Sequence, residues 1–233
     1  MNKTRPLGVS LAVLAALFNG TVGVFSVNLF AAGMPPQSVA FFKCVVALAV
    51  TGQVAACVAY MKRKWHWAAV CGFFGFFVLT HFETAAYTSV NVAVVVLCLF
   101  GAATVSTFVI EAAVARRFLA ASEYAAIVLS IAGLGFLFFA DADLARGGVA
   151  GLLQAVTAGA GYGVFLVLSK RLRIGAGLIP VFALLLFGSI FLSVPFALNA
   201  VAAPSPEHLL NLALLAILPT IGDFWCTTKA LTC

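Results

Sequence analysis

Charged side chains are scarce in this sequence: Asp, Glu, Lys and Arg make up 9% of 233 residues, and only seven are acidic. A soluble domain carries about 25% charge, so a water-soluble globule of this composition would have almost nothing polar to cover itself with. A disordered chain needs low hydrophobicity and high charge, and is excluded by the same figure. Redox and metal motifs are missing as well. The six cysteines, Cys44, Cys57, Cys71, Cys98, Cys226 and Cys233, form no CxxC pair, and most lie inside apolar runs as small apolar residues. There is no HExxH, no GxSxG with partners and no pair of intramembrane aspartates, and Ser and His are too scattered for a triad. The set predicts no enzyme, no cofactor and no metal site. A basic, aromatic nucleic-acid patch is also lacking.

What remains is apolar. Hydrophobic residues make up 64% of the chain, and the mean hydropathy is +1.16. A helix needs about 20 apolar residues to cross the hydrocarbon. The runs are long and do not alternate, which argues against a barrel, and lipid leaves backbone groups no outside partner. The expected fold is an all-α integral membrane bundle of about eight transmembrane helices, over 7–30, 37–60, 66–86, 89–114, 123–140, 148–169, 177–199 and 208–229. Gly33-Met34-Pro35-Pro36, Lys62-Arg63-Lys64, Arg116-Arg117, Asp141 to Gly148, Lys170-Arg171-Leu172-Arg173 and Pro204-Ser205-Pro206 mark the breaks.

The net charge of +6 is distributed by side. Lys3, Arg5, Lys62, Arg63, Lys64, Arg116, Arg117, Lys170, Arg171, Arg173 and Lys229 fall on one side of the alternating spans, and Arg146 alone on the other. The positive-inside rule then places the N-terminus in the cytoplasm. The first run is too long for a signal peptide and is read as an uncleaved span.

An internal repeat is visible. Ala15, Gly23, Val24 and Phe25 recur 140 residues later as Ala155, Gly163, Val164 and Phe165, and Thr84-Ala85-Ala86 is echoed by Thr228-Lys229-Ala230. These matches pair spans one with six and three with eight. A unit of five spans is odd, so its second copy would be inverted, as in many secondary transporters.

The residues also carry a family likeness: Asn19-Gly20 before Gly23-Val24-Phe25, Ser38-Val39-Ala40-Phe41-Phe42-Lys43 opening span two, Ala85-Ala86 ending an aromatic third span, and Ile131-Ala132-Gly133-Leu134-Gly135 in span five. On these the chain resembles the drug/metabolite transporter superfamily, in its EamA-like two-repeat exporters. The resemblance implies ten spans. On that pattern, 1–145 is the first repeat with five spans and 146–233 an incomplete second repeat with three. It implies a secondary transporter of a bacterial inner membrane that moves small organic metabolites, amino acids or related solutes, in the export direction by alternating access. The partners implied are the lipid bilayer, a small-molecule solute and protons, with no nucleic acid. The alternative is a truncated, non-transporting membrane protein, or a subunit that needs a homodimer or a missing-helix partner.

Polar side chains at membrane depth are costly and single out candidates for the substrate or ion pathway. Lys43 either holds a substrate carboxylate, pairs with an acid, or snorkels to the outer interface. His81 and Glu83, two residues apart, fall on different helix faces. His81 is a titrating group or an interfacial histidine, and Glu83 reads as a solvated helix end. Glu111 reads as structural, and could pair with another loop on the cytoplasmic side. Asp223 lies past the midplane, one turn after Pro219, which would remove a helical hydrogen bond and kink the span. It is either a proton or cation site, or an acid paired with Lys229 or solvated at the inner mouth. Asn19 and Tyr162 fall near the repeated segments and could face a central cavity or make interhelical hydrogen bonds. Trp225 and the Phe73-Phe74, Phe76-Phe77 stretch could line an apolar pathway. Gly159 and Gly163 read as close packing within the bundle.

Overall fold

The computed structural model describes residues 4–140, 149–199 and 203–232. The break at 141–148 lies outside them, and with it the repeat boundary at 145/146, Arg146, Asp141 and Asp143; Lys3 and Cys233 lie outside them too. Among the described residues the chain is helical, with no strand: α1 Thr4–Gly20, α2 Val22–Ala31, α3 Pro36–Thr51, α4 Val54–Gly72, a π-helical segment π1 Phe73–Val78, α5 Leu79–Ala86, α6 Val92–Ala115, α7 Ala121–Ala140, α8 Val149–Arg171, α9 Leu178–Leu198, α10 Pro206–Leu215, π2 Ala216–Asp223 and α11 Phe224–Ala230. Among the described residues, six stretches are long and apolar enough, by length and composition, to cross a membrane: Pro6–Ala31, Val54–Ala86, which is interrupted at Lys64, Val92–Ala115, Val149–Arg171, Leu178–Leu198 and Pro206–Ala230. Two shorter apolar helices cover Pro36–Thr51 and Ala121–Gly133. The protein is an all-α membrane bundle.

Local chemistry sets the helix ends. Pro36 opens α3, where its missing N–H is no loss. The Asn91 side chain accepts the Ala93 N–H at 3.0 Å and caps α6. Ser205 opens α10 with Pro206 behind it; the Ser205 N–H donates to His208 Nδ1 at 3.0 Å, and Nε2 of the same ring bonds the Ala32 carbonyl at 3.1 Å. The histidine thereby ties the start of α10 to the end of α2. The Glu123 carboxylate accepts the Ala120 N–H at 2.8 Å at the start of α7 and takes both arms of Arg117 at 2.7 Å.

The second expected span breaks early. Gly52 takes the left-handed conformation, φ +57°, and ends α3 by donating to the Leu48 carbonyl. The expected loop at 62–64 shrinks to one non-helical residue, Lys64, with φ −132° and ψ 15°. The chain folds back there, because Lys43 and Glu83, nearly equidistant from Lys64 in sequence, meet across the two arms.

The basic loops share one end of the bundle. Lys64 Nζ donates to the Arg173 carbonyl, Tyr60 donates to the Ile174 carbonyl at 2.9 Å, and Lys170 pairs with Glu111 at 2.8 Å. Glu111 thus pairs with Lys170 in the last turn of α8, and not with Arg116 or Arg117 of its own stretch. Leu11 and Ala15 of α1 pack with Cys226 at the same end.

Packing is tightest where side chains are smallest. A Cβ on Gly159 would meet the Leu99 carbonyl oxygen, with Ala102 Cβ at 2.8 Å, and one on Gly163 would meet Ser106, with the Ala103 oxygen at 2.9 Å. The glycines therefore seat α8 on α6 of the same chain. Aromatic rings fill the opposite flank. Phe165 lies over Gly75, Phe76 over Gly188, and Phe76 stacks on Phe224 with centroids 4.0 Å apart. Phe73 and Phe77 meet Phe191 of α9 instead.

Candidate functional site

Two wide helical segments frame the centre. Both π1 and π2 lie in the spans that the sequence repeat pairs as three and eight. Pro219 sits within π2 and has no N–H to give the Leu215 carbonyl; the Thr220 hydroxyl takes its place at 2.8 Å. The expected kink is thus absorbed as a wide turn, and the turn delivers Asp223 at its end.

Asp223 is 2% exposed. Its Oδ2 accepts from the Asn19 amide at 3.1 Å and its Oδ1 from the Thr227 hydroxyl at 3.0 Å. Tyr162 extends the chain, its hydroxyl 3.3 Å from Thr227 Oγ1. Asn19, Asp223 and Tyr162 therefore converge from α1, the end of π2 and α8. The two bland expectations for Asp223 fail: it is buried, not solvated, and its oxygens bond Asn19 and Thr227. Lys229 lies over the Trp225 ring, 4.8 Å from its centroid.

A second cluster stands beside the first. Lys43 is 3% exposed and its Nζ is 3.8 Å from Glu83 Oε2. Glu83 is 2% exposed, and its Oε1 accepts from the Tyr87 hydroxyl at 3.0 Å. Two expectations are corrected here. Lys43 does not snorkel, because the arm that returns from Lys64 brings an acid to it. Glu83 is not a solvated helix end, because α3 covers its face.

Both clusters line one void of about 10 Å3, walled by Asn19, Lys43, Thr80, Glu83, Asp223 and Phe224 among others. That is room for about one water. A larger cavity of about 230 Å3 lies toward the basic end, lined by Ala12, Ala16, Phe100, Tyr162, Leu166, Asp223, Thr227 and Leu231 among others. Asp223 is the residue common to the two linings.

The remaining candidates fall elsewhere. His81 is half-buried and stacks on the Phe77 ring at 5.6 Å, away from Glu83. Trp225 packs with Leu11, Ala15 and Cys226, so it is not brought to the Asp223 cluster. The sequence alone gives no pathway role to Glu83, Tyr87 or Thr227. One signal is present for Glu83: it precedes Asp223 by 140 residues, the offset that relates Gly23 to Gly163.

A membrane-spanning helical bundle with ionisable side chains enclosed at its centre has the build of a membrane transporter. Residues 6–139 match the EamA-like transporter family, and the chain belongs to that family, within the drug/metabolite transporter superfamily. A solved crystal structure, described no further than as that of a protein, is similar with a TM-score of 0.72 at 19% identity, over 97% of this chain and 79% of that one. At that identity the likeness concerns the fold alone. No functionally curated protein matches the sequence.

Proposed function

We propose that this chain is a secondary transporter that exports small organic metabolites, amino acids or related solutes, across a bacterial inner membrane by alternating access. Its N-terminus lies in the cytoplasm, on the side of the basic loops, and Asp223 couples solute movement to a proton gradient. The single observation that carries this reading is the place of Asp223 in the walls of both the one-water void and the 230 Å3 cavity. An ionisable group that faces two compartments in turn is what alternating access requires of a coupling site. Family membership supports the transport of a solute, and the charge pattern supports its class. Asp223 offers an acceptor to the ammonium group of a solute in the 230 Å3 cavity, which it lines with Tyr162 and Thr227.

Asp223→Asn keeps the size of the side chain and its place between Asn19 and Thr227 but removes the ionisable group. In liposomes, uptake of labelled amino acids driven by an imposed pH gradient is expected to fall at least tenfold in this variant, toward the level of empty vesicles. Exchange of solute against solute is expected to persist. Gradient-driven uptake that matches the parent protein would remove Asp223 from coupling.

A further inference from the structure

The two clusters do not balance in charge. Around the void stand two buried carboxyl groups, Glu83 and Asp223, and one buried ammonium, Lys43. Groups on every neighbouring element bear on that balance. Helix α3 brings Lys43 and Cys44, the end of α5 brings Tyr87, and α8 brings Tyr162; α1 brings Asn19, which does not titrate. On the carboxyls' own helices, His81 is turned onto Phe77 and Lys229 onto Trp225, and Cys226 packs with Leu11 and Ala15. Among the described residues, Lys43 is therefore the cation that faces this pair. One ammonium neutralises one carboxylate, and a second uncompensated charge at membrane depth is costly. The buried Asn19 Oδ1 adds a further observation. Among the described residues it has no hydrogen-bond partner, although Asn19 lines the void. A buried polar atom left unpaired beside room for one water is accounted for when a water donates to it.

We propose that Glu83 and Asp223 hold one exchangeable proton between them, passed through a single water in the void that both line, with Lys43 balancing whichever carboxylate is left. In the transfer, the Asp223 carboxylic acid gives its proton to the water oxygen as the water gives a proton to Glu83. Asp223 ends as the carboxylate, Glu83 as the acid, the water is regenerated, and Lys43 stays an ammonium. This rests on the coupled reading of Asp223 and adds Glu83 as the second proton-bearing group. The proton thereby has a position on each side of the void. Glu83 sits on the Lys43 side, and Asp223 borders the larger cavity at the basic end.

Infrared spectroscopy of the purified protein in liposomes at neutral pH counts carboxylic acids directly, by a C=O band that shifts in heavy water. One such band is expected in the parent protein. None is expected in Glu83→Gln, and none in Asp223→Asn, because the single remaining carboxylate then pairs with Lys43 alone. The two variants are read independently, so misfolding of one leaves the other as the test. A band that survives Glu83→Gln belongs to Asp223 alone, and one that survives Asp223→Asn belongs to Glu83 alone; either overturns the sharing, as does a parent protein with no band. The measurement needs no transport. The expected band pattern together with uptake that ignores the pH gradient would keep the shared proton and remove the coupling.

Discussion

Lys43→Met is expected to destabilise the folded protein by about 3 kcal/mol, and the double variant Lys43→Met/Glu83→Gln to recover more than half of that loss. Burial sets the size of the effect. Lys43 and Glu83 are both nearly inaccessible, and they stand 3.8 Å apart. Replacing a buried ion pair by neutral groups of similar size is often close to neutral, whereas removing one partner costs about 3–5 kcal/mol, because the other is left buried and uncompensated. The lower end applies here. Tyr87 still donates to Glu83 in the single variant, and the adjoining void gives the acid room for a water. Met matches the length of the lysine stem, so the packing of α3 against α5 is little changed. Equilibrium unfolding in mixed micelles measures both variants. A double variant no more stable than the single one would mean that Lys43 acts through packing and not through its charge on Glu83.

How much of this was legible in the sequence depends on the range over which each feature is decided. Spans are decided by the solvent: a membrane demands long apolar runs, and six of the runs read from sequence appear as helices long enough to cross. The early stop of α3 is decided by one residue, Gly52, whose left-handed conformation costs nothing that a hydropathy profile can register. The burial of Glu83 is decided across forty residues of sequence. The local stretch Thr80-His81-Phe82-Glu83 reads as a polar helix end, and only the return of the chain at Lys64 lays α3 and its lysine over it. Trp225 falls outside the cluster for the same reason, since its neighbours Leu11 and Ala15 come from the other end of the chain. Asn19, Tyr162 and Asp223 were legible as candidates because polar groups stand out against an apolar background. The link from Asp223 to Tyr162 through Thr227 was not, because a threonine in a helix has a local alternative in hydrogen bonding its own backbone.

The glycines of α8 carry the other large effect. Helices in lipid gain no hydrophobic free energy by meeting each other, so α6 and α8 hold together by close van der Waals contact, which small residues permit. At Gly159 the atoms that a new methyl group would strike include the carbonyl oxygen and carbonyl carbon of Leu99, the carbon at 2.9 Å, and at Gly163 they include the Ala103 oxygen at 2.9 Å. These are backbone atoms of a helix and cannot swing aside as a long side chain can. Relief must come from moving α6 as a body, which opens the contact along its length. Gly159→Ala is therefore expected to cost about 2–3 kcal/mol, in the upper part of the range for overpacking a close contact, and Gly163→Val to leave little folded protein. Gly20 supplies the control. It lies in α1, and a methyl group added there would have nothing within 4 Å. Gly20→Ala should therefore be neutral or raise stability by roughly a few tenths of a kcal/mol through helix propensity. Thermal unfolding followed by gel filtration of the monodisperse fraction reads all three. Equal stability for Gly159→Ala and Gly20→Ala would mean that α6 and α8 can separate without penalty. Asp223 would then lose its fixed distance from Tyr162, because the same α8 backbone that Gly159 seats on α6 carries the tyrosine hydroxyl toward Thr227.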